Sequence, residues 1–188
     1  MKRTEFENLL CVAGAISPEK EFVVFGSQAL LGYIENPPKE LLISMELDLY
    51  PKNHPEIARL IDARLGRSSA FAKEHAYYAD TVTPELATWP DGWTERLIRF
   101  ETSGVTAWCA ELHDIVVSKL AAGRPRDVAY IQDLLRHKLL NEQTLRERIG
   151  FLSSKADRTR LSTAFERLLK QFRRAKKPAK AKLKRRKL

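Results

Sequence analysis

Cysteine is scarce in this chain: Cys11 and Cys109 are the only two among 188 residues. No second cysteine or histidine stands at C-x-x-C type spacing from either, which excludes a disulfide framework and a zinc site and leaves two buried thiols as the expectation. Long apolar runs are missing too. Charges interrupt every hydrophobic stretch well before the about 18–20 residues that a membrane span requires, and the opening MKRTEFENLL lacks the apolar core and small-residue cleavage site of a secretory signal. The expectation is a cytoplasmic chain with no membrane partner. There is no internal repeat, which argues against a solenoid. Finally, the end of the chain has no acids: Arg167 to Leu188 hold 12 Lys or Arg and no Asp or Glu.

That last absence changes how the net charge of +9 is read. Taking those 12 from the total of 33 basic residues leaves 21 against 24 acids, so the first 166 residues carry a net charge of −3. The body is mildly acidic and the end is a polycation. Residues 173–188, RRAKKPAKAKLKRRKL, have too few apolar side chains to pack and too much self-repulsion to fold alone, so a mobile arm is expected, one that attracts RNA or DNA phosphate through counterion release. The rest, with 44% hydrophobic content, is long enough to bury a core as one domain with a small helical annex.

Apolar spacing of three and four at Phe6, Leu9, Leu10 and Ala13 predicts a first helix over Thr4 to Ala15. EFVVFG then reads as a strand, and Gly26 as a sharp corner into a helix over SQALLGYI capped by Ser27 and ended by Pro37 and Pro38. In LLISMELDLY, Leu47 and Leu49 alternate with Glu46 and Asp48, the pattern of a strand with one wet face. PEIARLIDARLG predicts a helix burying Ile57, Leu60, Ile61 and Leu65 and stopping at Gly66. A strand is expected around Tyr77 to Val82, a turn at Pro90-Asp91-Gly92, and a β-hairpin with Thr102-Ser103-Gly104 at its tip. Helices over Asp114 to Ala122, Pro125 to Leu139, Asn141 to Leu152 and from about Lys155 onward complete the body. The fold class is α/β (α+β), with a small mixed sheet, packed helices and a helical C-terminal portion. Its divisions are 1–112 for the core, 113–172 for the helical portion and 173–188 for the arm.

The chemistry concentrates in FGSQALLG and SMELDLY. Residues two apart on a strand share a face, so Glu46 and Asp48 project side by side. Such a pair repels unless a cation neutralises it, and hard oxygen ligands suit Mg²⁺, which keeps waters and substrate phosphates as its other ligands. Gly26 permits close backbone approach, and Ser27 adds a donor where helix N–H groups are unpaired, a combination suited to phosphate. Either element alone is weak: Gly-Ser corners are common, and an E-x-D on a strand is ordinarily a solvated face. The tryptophans Trp89, Trp93 and Trp108 belong to no basic aromatic cluster and read as core or strand-face residues. His113 reads as structural, because His54, His75 and His137 share no ligand spacing with it.

In that order, the Gly-Ser corner and the acid-x-acid strand resemble the signature of the nucleotidyltransferase superfamily, the DNA polymerase β-like enzymes. LHDIVVSKLAAGRPRDVAYIQDLL resembles the later lysine and arginine-aspartate motifs of AbiEii-like toxin nucleotidyltransferases and of a related, uncharacterised bacterial group of DUF6036 type. The likeness covers most of Phe22 to Leu140; the basic end lies outside it. It implies that Glu46 and Asp48 hold Mg²⁺ with a nucleoside triphosphate, that Gly26 and Ser27 contact the triphosphate, and that Lys119 and Asp127 flank the nucleotide. The implied reaction moves a nucleoside monophosphate to a hydroxyl of RNA (tRNA) or protein, in a toxin that an antitoxin protein would restrain.

Two departures stand out. Glu46 occupies a position usually held by aspartate, and 18 residues separate Ser27 from Glu46, longer than the compact motif. A third carboxylate, the general base in many relatives, is open among Asp80, Glu101 and Glu111. The alternative reading is a degenerate domain that binds nucleic acid or protein without chemistry; Lys119 would then be a surface residue at a helix edge, and Asp114 and Asp127 helix-start acids that complement the dipole.

Overall fold

Phe6, Leu9, Leu10 and Ala13 are fully buried along helix α1 (Arg3–Ala15), as their spacing predicts. The computed structural model of the protein describes residues 1–176. After α1 the chain enters strand β1 (Glu21–Phe25) and reaches β2 (Glu46–Pro51) through two short 3-10 turns. Helices α2 (Ala58–Leu65) and α3 (Ala70–His75) lead to β3 (Tyr78–Thr81), and a hairpin of β4 (Ile98–Thr102) and β5 (Val105–Cys109) completes a five-stranded sheet. The strand order is β3-β2-β1-β5-β4. β1 runs antiparallel to β2 and parallel to β5, so the sheet is mixed, as expected. The hairpin turns on Ser103 and Gly104, both at positive φ (47° and 74°), the left-handed pair that matches the twist of two-residue hairpins.

One face of the sheet is dry. Phe22, Val24, Leu47, Leu49, Ala79, Ala107 and Cys109 are all fully buried on it. α1 lies against this face, where Phe6 meets Phe100 at 5.5 Å between ring centroids. The opposite face carries Glu46 and Asp48 of β2 and Tyr78 and Asp80 of β3. Beyond the sheet, α4 (Leu112–Ala122), α5 (Pro125–Arg136), α6 (Glu142–Gly150) and α7 (Lys155–Lys176) form the helical portion. Its apolar stripes, among them Ile115, Val116, Ile131, Leu134, Leu145, Leu161 and Phe165, join the sheet's core in one continuous cluster.

Several expectations shift in detail. The corner helix is a 3-10 helix over Ser27–Gly32, and its cap is Gly26, with no side-chain capping bond; Ser27 is its first residue instead. Gly26 takes the cap because the turn needs φ +67°, a conformation that suits glycine. Leu60 is 39% exposed, since α2 is only eight residues long and buries Ile61 and Leu65 alone. Cys109 is buried, but Cys11 is only partly so. α7 continues through residue 172 to Lys176; the remainder of the basic arm, 177–188, lies outside the described residues. None of the described helices is long and apolar enough to cross a membrane.

Candidate active site

The register of β2 and β3 builds the acidic centre. Glu46 pairs with Tyr78 and Asp48 with Asp80, and paired positions in neighbouring strands share a face. Ligand oxygens of Glu46, Asp48 and Asp80 all lie within 4.8 Å of one another. Of the three candidates for a third acid, Asp80 is the one that stands beside the pair. The other two candidates are occupied elsewhere: Glu101 pairs with Arg99 on the exposed edge strand, and Glu111 caps α4, accepting the His113 backbone N–H at 2.9 Å and contacting His113 Nδ1 at 2.7 Å. His113 Nε2 accepts the Asn141 backbone N–H at 3.1 Å, so this histidine is structural, as the sequence suggests. Chain order alone did not distinguish Asp80, because what singles it out is the parallel pairing of two strands more than 25 residues apart.

The three carboxylates are not equivalent. Burial pushes Asp48 up to about 8, with the charges of Glu46 and Asp80 adding to it and Lys119 opposing. Burial works against the charge of Glu46 also, but hydrogen bonds from Tyr78 and Asp48, with Arg67 nearby, outweigh it and hold Glu46 below the ordinary range. Tyr78 donates to Glu46 Oε2 at 2.8 Å, and Arg67 Nη2 reaches the same oxygen at 3.3 Å. Asp80 is raised by burial and by its acidic neighbours Glu46 and Asp62. Arg67 and Lys119 offset only part of the mutual repulsion, since Asp48 and Asp80 stay raised, and three hard oxygen donors in that state fit a divalent metal such as Mg²⁺.

Around them lies a cleft of about 790 Å³, lined by Gly26, Ser27, Arg67, Lys119, Arg126 and Asp127 as well as by the acids. Gly26 is pressed against the centre: a Cβ built there would fall 1.8 Å from Asp48 Oδ2. The corner is tied to the helical portion by Tyr130, whose hydroxyl donates to the Ser27 carbonyl at 3.1 Å. Lys119 of α4 donates to Asp127 Oδ1 at 3.1 Å and sits 4.7 Å from the centre of the Tyr130 ring. Its side chain is 15% exposed, so it is a cleft residue and not one on an outer helix edge. Asp127 is buried, and its Oδ2 makes no hydrogen bond among the described residues. Asp114, by contrast, takes no part in the cleft; it is fully buried and held by Arg96 and Arg148. Trp89 and Trp93 stack at 4.6 Å and pack on Phe25, and Trp108 donates to Glu21 at 2.9 Å; all three pack against the core, and Trp89 also lines the cleft.

All six residues singled out by motif thus face one cleft, together with two that motif reading did not select, Asp80 and Arg67; Tyr78 stands behind them, bonded to Glu46. No curated protein and no solved structure matches the chain. The family model described as nucleotidyltransferase of unknown function (DUF6036) matches residues 6–176, which takes in the sheet, the cleft and the whole helical portion. The chain belongs to that family.

Proposed function

We propose that the protein is a Mg²⁺-dependent nucleotidyltransferase that moves a nucleoside monophosphate from a triphosphate to a hydroxyl of RNA, tRNA included, or of protein, and that it serves as the toxin of a pair whose antitoxin is a second protein. The observation that carries the reading is the convergence of Glu46, Asp48 and Asp80 in a cleft that also holds Lys119 and the Gly26-Ser27 corner. Glu46 and Asp48, with Asp80 beside them, would hold the metal, which supplies charge neutralisation for the phosphates and a fixed geometry for in-line displacement. Lys119 places a cation against the transferring group, and Asp127 holds that lysine by its ammonium. Gly26 and Ser27 contact the triphosphate. The acceptor oxygen bonds to the α-phosphorus as the bond to pyrophosphate breaks, and the hydroxyl proton passes to an Asp80 oxygen, whose raised affinity for protons suits a base.

The degenerate reading keeps one of its two grounds, the glutamate at position 46; the other, a missing third acid, is weakened by the position of Asp80. Incubation with each α-labelled nucleoside triphosphate, Mg²⁺ and total RNA separates the two. Label on RNA or on protein supports transfer, whereas nucleotide binding without any transferred label supports the degenerate domain.

A further inference from the structure

Glu46 is one methylene longer than aspartate, and a longer side chain has one more rotatable bond with which to miss a metal. The structure supplies a restraint for it. Tyr78 is the direct cross-strand partner of Glu46, and its hydroxyl donates to Glu46 Oε2 at 2.8 Å. The Tyr78 ring lies beneath the Arg67 guanidinium, 5.1 Å from the ring centre, and Arg67 approaches the same Oε2 at 3.3 Å. One carboxylate oxygen of Glu46 is thus committed to protein donors. The other makes no such bond to Tyr78 or Arg67, and the carboxylate, pinned at its far end, stays within reach of Asp48 and Asp80.

We infer that Tyr78 is a positioning residue for the metal site: its hydroxyl fixes the Glu46 carboxylate so that a glutamate, in place of the shorter acid, presents a single oxygen to the metal. This rests on the metal-site reading above and adds to it a role for a residue that touches neither metal nor nucleotide. Partners of this kind that orient a ligating carboxylate typically contribute 10–100-fold in metal affinity. Arg67, with its side chain 75% exposed, is screened by solvent and contributes less. Because the restraint acts at the tip of the longer side chain, it is specific to glutamate. An aspartate at position 46 ends short of the Tyr78 hydroxyl.

The test uses the full chain and reads Mg²⁺-dependent thermal stabilisation by a non-hydrolysable nucleoside triphosphate, which follows binding without turnover. Four proteins are compared: the wild type, Tyr78→Phe, Glu46→Asp and the double variant. Tyr78→Phe keeps the ring under Arg67, so its melting temperature without ligand should stay close to wild type, and the Mg²⁺ concentration giving half the nucleotide-induced shift should rise about tenfold or more. In the Glu46→Asp background the same tyrosine change should have little effect, a non-additivity that a merely structural role would not produce. A Tyr78→Phe protein with an unchanged Mg²⁺ requirement would overturn the inference, as would an equal rise in both backgrounds. Absence of any Mg²⁺-dependent nucleotide stabilisation in the wild type would instead overturn the metal-site reading itself, and the inference with it.

Discussion

At Gly26, φ is +67° and an added Cβ would enter the van der Waals shell of the Asp48 carboxylate. Gly26→Ala is therefore expected to lose about 1–2 kcal/mol in urea unfolding from backbone strain alone, and to abolish nucleotide-dependent stabilisation by displacing Asp48. Asp48 itself carries a pH signature. Its folded-state pKa of about 8 lies above the ordinary 3.8, so the folded protein binds this proton more tightly than the unfolded chain does. That contribution to the stability of the metal-free protein is fully present below about pH 4 and is lost as the pH rises to about 8. Asp48→Asn removes the dependence. The variant should gain on wild type as the pH rises, by on the order of 1–3 kcal/mol at pH 8 in thermal unfolding, while losing the response to Mg²⁺ and nucleotide. At this scale the motif residues were legible from spacing, since Glu46 and Asp48 share a face by strand period alone. Asp80, Tyr78 and Arg67 were not, because their relation to Glu46 comes from a β2–β3 register and a turn at Arg67 that no local pattern encodes.

Among the elements, those with a long or repeated signal were readable in advance: α1 by its 3,4 spacing and the β4–β5 hairpin by alternation around Ser-Gly; α6 was expected over Asn141 to Leu152, and the structure adds its cap, the Asn141 side chain accepting from the N–H groups of Gln143 and Thr144. Short elements were not. α3 spans six residues, too few for a helical period to emerge, and the 27–32 segment, expected as a helix, is of the tighter 3-10 kind, with Gly32 so close to Cys109 that a Cβ would fall 2.4 Å from Sγ. α4 is anchored by a feature that the sequence showed only as a helix-start acid. Asp114, fully buried, accepts from Arg96 at 2.8 and 3.2 Å and faces Arg148 Nε at 3.2 Å, which joins the 93–96 segment, α4 and α6. Removing one member of such a cluster leaves the others without their counter-charge. Asp114→Ala should destabilise the protein by about 3 kcal/mol, measured as a lower urea midpoint with an unchanged slope. Asp114→Asn, which keeps two polar atoms in place, should lose less.

For the molecule as a whole, the proposed function divides the work between an acidic cleft and a basic end. The last residues, 177–188, hold seven Lys or Arg and no acid, and in the proposed function they attract RNA without entering the chemistry. Deleting them should weaken RNA association strongly at low salt and flatten its salt dependence, with nucleotide-induced stabilisation unchanged, as paired binding curves at several salt concentrations would show. Equal affinities and equal salt slopes would make the end a solubilising appendage. The account as a whole depends on what the three carboxylates hold. Crystals grown with Mn²⁺ and a non-hydrolysable nucleoside triphosphate, examined by anomalous scattering, test that claim most directly. The predicted result is a manganese peak bound by Glu46 and Asp48 with Asp80 beside it, and a triphosphate running from that peak to Ser27 and Lys119. A nucleotide bound elsewhere, or a cleft whose acids hold no metal with nucleotide at saturation, would contradict it.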